Sequence, residues 1–264
     1  MNTATLIKTT ASSTINDACQ PRLPTPGELA EFHARGFVIL RGVVKPTALT
    51  AMHDEVLDVV RARNLDQKYL GQSSEYLADG MLDAWNNGGH LQALAEAFLG
   101  GPSRLYLPFT AVKGPHQGRF TFHQDNQYTT LRGPTPHIAL NIWCALVPMS
   151  IANGCLQVVP ESHRAGTRVA MDSLACPGHR MITEEPSSWD DCVMEAGDVV
   201  IFDRLNVHGS RPNHTDQPRV AYAVQWHRLE TEAFFDGTWA ALVERPRFAT
   251  GPVAALTATK QRGE

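Results

Sequence analysis

Apolar positions recur along this chain with two different periods, and the change falls near residue 103. In the first part the period is helical. After Pro46, residues Leu49, Met52, Val56 and Val59 or Val60 follow at three-to-four spacing, which predicts an amphipathic helix. Ahead of it, Thr25-Pro26-Gly27-Glu28 reads as a helix start: Thr25 caps, Pro26 suits the first helical position and Glu28 closes a capping box. That helix covers Glu28–Arg35 and stops at Gly36, and Phe37-Val38-Ile39-Leu40 follows as a short buried strand. Another helix over His90–Leu99 ends at Gly100-Gly101. Residues Asn64–Gly89 are polar, punctuated by glycine and aperiodic, which predicts a long loop, functional or disordered.

From Ser103 onward the pattern is that of strands. Arg104–Lys113, Arg119–His123, His137–Leu146, Cys155–Val159, Val199–Phe202 and Arg219–His227 are rich in β-branched and aromatic residues. Turn formers separate them at Gly114-Pro115, Gly133-Pro134, Asn153-Gly154, Gly197-Asp198 and Pro212-Asn213. The helices cannot close a core by themselves, so the pattern predicts an α+β, mainly β fold with helices packed on a barrel or sandwich. No internal repeat is visible, and a single domain is expected over residues 25–250. Residues 1–24, rich in Thr, Ser and Ala, read as a disordered lead-in, and 251–264 as a flexible tail.

Composition narrows the classes of function. Lys and Arg number 23 against 27 Asp and Glu, with no basic run, which argues against a nucleic-acid partner. No apolar run approaches the roughly 20 residues that span a bilayer, so no membrane partner is expected. The N-terminus lacks an apolar signal core, and a cytoplasmic location is the default. The five cysteines are scattered and odd in number, without a C-x-x-C pair, which fits a reducing compartment and disfavours a thiolate metal site. Eleven histidines outnumber them, so any metal would be held by imidazole and carboxylate. Nothing in the pattern specifies an oligomeric state.

The sharpest chemical signal is Arg119-Phe-Thr-Phe-His-Gln-Asp125. Residues two apart on a strand share a face, so Arg119, Thr121, His123 and Asp125 would point one way and Phe120 and Phe122 the other. An imidazole and a carboxylate so placed can chelate one ion. A second histidine from elsewhere would complete the two-histidine, one-carboxylate set of non-haem iron enzymes. By itself the spacing is weak evidence, since it more often marks a hydrogen-bonded surface pair. Further along, a buried strand leads to Val207-His208-Gly-Ser210, and Arg219 opens the next strand. Alternation there puts Arg219, Ala221, Ala223 and Gln225 on one face, with Val220, Tyr222, Val224 and Trp226 on the other. An arginine followed by small alanines leaves room for a carboxylate ligand that a guanidinium fork can grip. A structural salt bridge is the alternative reading of Arg219.

Taken together, His123-Gln124-Asp125, His208-x-Ser210 and Arg219, with Asn153-Gly154-Cys155-Leu156 and Val159-Pro160-Glu161-Ser162-His163-Arg164, resemble the phytanoyl-CoA dioxygenase family. The likeness runs from about Gly36 to His227 in the family's order. It implies a double-stranded β-helix (jelly roll, cupin-like) with N-terminal helices packed on one sheet. It implies Fe(II) at His123, Asp125 and His208, with 2-oxoglutarate and O2 as co-substrates. Arg219 and Ser210 would hold the distal carboxylate of 2-oxoglutarate, and Lys113 and Trp143 match further positions near the co-substrate. The implied reaction is hydroxylation of a small molecule with release of succinate and CO2. Because Asp125 is present, where related halogenases lack the carboxylate, oxygenation is expected and halogenation is not. Desaturation, ring closure or bond cleavage through the same cofactors is the alternative, and a non-catalytic metal-binding β-helix module is the alternative of another class. His163 reads as structural, His33 and His53 as surface residues, and His227 shares the parity of Arg219.

The substrate lining is expected from Asn64–Gly89, Asn126–Pro136 and Ala165–Trp189. These carry Lys68, Arg132, Arg168, His179 and Arg180 beside Met81, Leu82, Trp85 and Met171. They read either as a cationic edge suited to a carboxylate, phosphonate or phosphate, or as an ordinary solvated rim.

Overall fold

The chain enters its first helix as its capping residues dictate. In the computed structural model, which describes residues 17–65, 70–242 and 248–250, helix α1 covers Pro26–Arg35. The Thr25 hydroxyl accepts from the Glu28 amide at 3.2 Å, and the Glu28 carboxylate accepts from the Thr25 amide at 2.7 Å. Strand β1 (Phe37–Leu40), helix α2 (Pro46–Ala62), helix α3 (Met81–Asn87) and helix α4 (Gly89–Leu99) follow. The strand-rich part contributes β2 (Ser103–Lys113), β3 (Phe120–His123), β4 (Ala139–Ala145), β5 (Leu156–Val158), β6 (Asp190–Asp191), β7 (Val199–Asp203), β8 (His208–Ser210) and β9 (Arg219–Arg228).

These strands form two antiparallel sheets. The larger has the order β1-β7-β4-β9-β2 and the smaller β6-β5-β8-β3. Their facing sides share one apolar cluster, in which Leu156 and Val158 of the smaller sheet meet Trp143, Ala221 and Ala223 of the larger. This is the jelly-roll double-stranded β-helix. Strand β9 is its axis, with all ten residues buried. Its outward face, Val220, Tyr222, Val224 and Trp226, packs with Phe32, Met52, Val56, Leu91 and Phe98 of the helices in the main core. Its inward face carries the alanines. Both faces of the long sheet are thus covered, one by helices and one by the second sheet.

Two expectations change. Residues 64–89 are not a bare loop, for they hold a strand at Glu75–Leu77 and the whole of α3, whose Leu82 and Trp85 are fully buried under the outer face of the larger sheet. The lead-in does not extend to residue 24 as a disordered segment. Ala18 and Cys19 are buried, and Asp17 accepts at 2.9 Å from the His90 amide at the start of α4, where a carboxylate complements the helix dipole. Residues 1–16 and 251–264 lie outside the described residues. All five cysteines are free and buried. Among the described residues no helix is long and apolar enough to cross a membrane.

Candidate metal centre and its cavity

The smaller sheet brings two histidines together directly, because β8 pairs with β3 in the register His208↔His123. Their rings lie 4.2 Å apart between centroids. Asp125 joins them from just beyond β3: the strand ends at His123, Gln124 stays extended, and Asp125 opens a single 3-10 turn. The Asp125 Oδ1 atom is 3.9 Å from His123 Nε2 and 3.8 Å from His208 Nε2. One ligand atom from each residue falls within 4.8 Å of the others, and all three side chains are buried.

Hydrogen bonds fix which nitrogen of each ring faces the others. His123 Nδ1 donates to the Thr121 carbonyl at 2.9 Å and His208 Nδ1 to the Asn206 carbonyl at 3.0 Å. Each Nε2 therefore keeps its lone pair toward Asp125, the tautomer a metal ligand needs. Burial, and then repulsion from His208, pushes the His123 imidazole down to about 3, so it is neutral near neutral pH. Asn141 Nδ2, 3.4 Å from Asp125 Oδ2, engages the carboxylate oxygen that does not face the imidazoles. Gln124 is fully buried on the other side, where its amide donates to the Gly166 carbonyl at 2.9 Å and accepts from the Arg168 amide at 2.7 Å. Two imidazole nitrogens and one carboxylate oxygen on one side of an open cavity fit a divalent iron.

The alternation expected for residues 119–125 does not hold, and the reason is a bulge. Pairing shifts between His208↔His123 and Ser210↔Phe120, so Thr121 and Phe122 of β3 oppose the single Gly209 of β8. Phe120 therefore turns to the cavity beside His123, with ring centroids 5.0 Å apart. Arg119 goes outward onto the Phe122 ring and pairs with Glu185.

The cavity measures about 380 Å³, within the range of small-molecule sites. Arg219, Ser210 and Trp143 line it together with the triad. Arg219 is 1% exposed, its guanidinium carbon sits 5.1 Å from the Trp143 ring centre, and its Nε is buried without a hydrogen-bond partner. No carboxylate among the described residues pairs with it. Burial pulls it down to about 10, which leaves it a cation at neutral pH. A buried guanidinium that lacks a carboxylate partner among the described residues fits an anionic ligand such as the distal carboxylate of 2-oxoglutarate. Lys113, opposite Arg219 in the register of β2 and β9, is fully buried. Its ammonium donates to the Ser210 carbonyl at 3.3 Å and to that of Arg211, and burial followed by the charge of Arg219 lowers it to about 6. It braces the strand that carries Ser210.

Some expected lining residues are not brought to the cavity. Of the cationic and apolar side chains expected there, His179 lines it. Arg132 pairs with Glu232 at 2.7 Å and stacks on Trp239, and Arg180 pairs with Asp172 at 2.7 Å. Arg168 and Met171 are exposed elsewhere, Met81 packs on the helical core with Leu82 and Trp85, and Lys68 lies outside the described residues. His227 points its Nδ1 to the Arg228 carbonyl at 2.8 Å, away from the cavity. His163 packs near Gly36 and His137, a structural position. Cavity residues without a recognised signal include Arg204 and Asn141, whereas Gln225 lines it as its shared parity with Arg219 predicts. Arg204 precedes His208 by four residues, and a charge inside the buried run Val199–His208 was the one available hint.

The family model phytanoyl-CoA dioxygenase (PhyH) matches residues 32–221. A methylphosphonate hydroxylase of Gimesia maris is 32% identical over 142 residues, covering 53% of this chain and 52% of that protein. The human peroxisomal phytanoyl-CoA dioxygenase is 29% identical over 194 residues, covering 69% and 56%. The chain spans about half the length of these curated relatives. Among solved structures, the non-heme monooxygenase ThoJ aligns with a TM-score of 0.66 at 20% identity, covering 88% of this chain and 93% of that one. The non-heme alpha ketoglutarate dependent carbocyclase SnoK aligns at 0.65 and 19%, covering 86% and 97%. These two likenesses concern the fold.

Proposed function

The chain belongs to the phytanoyl-CoA dioxygenase family, and from that premise we propose that it is an Fe(II)- and 2-oxoglutarate-dependent dioxygenase that hydroxylates a small molecule. One observation carries the reading: a buried two-histidine, one-carboxylate set and a buried arginine with no carboxylate partner among the described residues open into the same cavity. When bound, iron with 2-oxoglutarate and O2 supplies the oxidation of a C–H bond, one oxygen atom entering the product and the other entering succinate as CO2 leaves.

The protein's own residues do the positioning. His123, Asp125 and His208 would hold the ion, each imidazole aimed by a backbone carbonyl. Arg219 would take the distal carboxylate of 2-oxoglutarate, with Ser210 beside it and the Trp143 ring against the guanidinium. Lys113 would keep the Ser210 strand in place from behind. Leu70, Phe109, Phe120, Leu156 and Phe202 form apolar walls that exclude water, which strengthens each charge interaction inside.

Anaerobic titration of the apo-protein with Fe(II) and 2-oxoglutarate tests the proposal. A weak visible charge-transfer band is expected, lost in His208→Ala and requiring at least tenfold more 2-oxoglutarate in Arg219→Ala. With substrate in air, succinate should form and the product should gain one oxygen atom. Succinate with a product that gains none would favour ring closure or desaturation. No band and no succinate would identify a non-catalytic metal-binding module.

A further inference from the structure

At the other end of the inward face of β9 from Arg219, two amide side chains meet at the cavity wall. Gln225 of β9 stands opposite Asn141 of β4 in the sheet register, and both line the cavity. Direct cross-strand neighbours hold their Cβ atoms about 5 Å apart, so the two amides share one small patch. Arg219 and Gln225 are six positions apart, about 20 Å at the rise of an extended strand. The patch is therefore clear of the end where 2-oxoglutarate would be gripped.

Each amide is oriented by a neighbour. Asn141 is 2% exposed, and its Nδ2 donates to Asp125 Oδ2 at 3.4 Å. The reversed amide would set its oxygen against a carboxylate oxygen, so Oδ1 is the end left over, and it is buried with no hydrogen-bond partner. An unmet buried acceptor is costly, and buried polar groups are nearly always satisfied. Gln225 is 9% exposed, and its Oε1 accepts from the Arg204 guanidinium at 3.5 Å. Its Nε2 makes no hydrogen bond among the described residues. Arg204 donates as well to the Asp125 and Thr129 carbonyls and so braces this wall. The patch combines one unused acceptor with one unused donor.

Few functional groups match both. A hydroxyl donates its proton to Asn141 Oδ1 while its oxygen accepts from Gln225 Nε2, both through one atom, which suits side chains that face each other in register. A carboxylate would set negative charge against the Asn141 oxygen. An ammonium offers nothing to the Gln225 donor and meets the Arg204 charge behind it. A ketone satisfies Gln225 but leaves Asn141 unpaired.

We propose that Asn141 and Gln225 read a hydroxyl group of the substrate, which is a neutral alcohol at this end of the cavity. The inference rests on the proposed function. Buried amides confer selectivity more than affinity, since an analogue that lacks the hydroxyl leaves both of them unpaired. Because Asn141 also holds the triad's carboxylate, the hydroxyl is seated beside the metal ligands.

The test uses the anaerobic Fe(II)–2-oxoglutarate complex of the full chain. Its probes are two alcohol–ketone pairs, cyclohexanol with cyclohexanone and 2-hexanol with 2-hexanone, beside cyclohexylamine and cyclohexanecarboxylate. At least one alcohol is expected to shift the visible band and to accelerate succinate release once air is admitted. Its half-effect concentration should lie roughly tenfold or more below that of its ketone, the amine and the carboxylate. Gln225→Met removes a donor that alcohol and ketone share, so both half-effect concentrations should rise and their ratio should stay within about threefold. Asn141→Leu removes an acceptor that only the alcohol uses, so the alcohol should fall to the level of its ketone. Damage to the fold would weaken both ligands alike and would not collapse that ratio. If Asn141→Leu fails to fold, the alcohol–ketone comparison in the unmodified protein and in Gln225→Met still decides. Equal responses to alcohol and ketone, a stronger response to the amine or the carboxylate, or none to either alcohol would each overturn the inference while leaving the oxygenase reading intact. So would an alcohol response untouched by Gln225→Met, or a preference for alcohol that survives Asn141→Leu. Absence of the band in the unmodified protein would instead overturn the oxygenase reading and the inference together.

Discussion

Each imidazole of the triad is aimed by a carbonyl two residues earlier in its own chain, Thr121 for His123 and Asn206 for His208, and Asp125 is the member whose side chain alone supplies negative charge. Replacing it should therefore do more than remove one ligand. Asp125→Ala is expected to weaken iron binding by on the order of a hundredfold or more, beyond the 10–100-fold of a typical outer-shell change, and to abolish hydroxylation. Iron titration followed by succinate assay measures this, and undiminished turnover would contradict the ligand assignment. These residues were legible in the chain because metal chemistry needs a narrow set of side chains at a narrow spacing. Arg204 was not, because a charge beside Asp203 in a turn looks solvated. Its burial depends on Asp125 and Thr129, from the turn that follows β3, and on Gln225 of β9. Arg132 and Arg180 misled for the converse reason, each satisfied locally by an acidic neighbour that the spacing does not reveal.

At the scale of elements, several local signals converge on the short link before β8. Gly36 closes α1 at φ +79°, and a Cβ there would run into Asn206 Oδ1 and His163 Nδ1. Asn206 donates to the Arg35 carbonyl at 3.3 Å and the Val159 carbonyl at 3.1 Å, while the Ser162 hydroxyl accepts from the Val207 amide at 2.8 Å. The helix end and the Pro-Glu-Ser-His turn thus clamp the residues whose backbone aims His208. Gly36→Ala is expected to cost about 2–4 kcal/mol through strain and the clash, and Ser162→Ala about 1–3 kcal/mol by stranding a buried amide. Urea melts give both values, and iron titration should show weakened binding in each. Long strands and capped helices were readable because each repeats one period over enough residues. The strand at Glu75–Leu77 and the seven-residue α3 are too short to display one. The β3 bulge is a property of a pair of strands, so alternation read on one strand alone put Phe120 on the wrong side.

For the molecule as a whole, histidines held below their ordinary range set the response to acid. Burial brings His227 down to about 4, and burial also lowers His33, His163 and His179. The unfolded chain then binds more protons than the folded one below about pH 6.5, so stability is complete above that value and falls as the pH drops toward 4. The unfolding midpoint should decrease by several degrees from pH 7 to pH 5, and His227→Gln should flatten the slope, both followed by calorimetry. A midpoint that rises on acidification would contradict these assignments. The two-sheet plan itself was readable from strand-rich composition and family likeness. The order of strands was not, since β1 joins the sheet beside β7, more than 150 residues away, through apolar pairing that no local spacing encodes. Burial of all ten residues of β9 has a further consequence. The strand that presents Arg219 has no face open to drift, while Leu70, Ser74, Tyr128 and His179 reach the cavity from connecting segments. Selection can revise that loop-built wall one residue at a time and acquire new substrates, inheriting the oxidising half of the site unchanged. A mutant library meant to redirect the reaction belongs in those loops and should spare the strand.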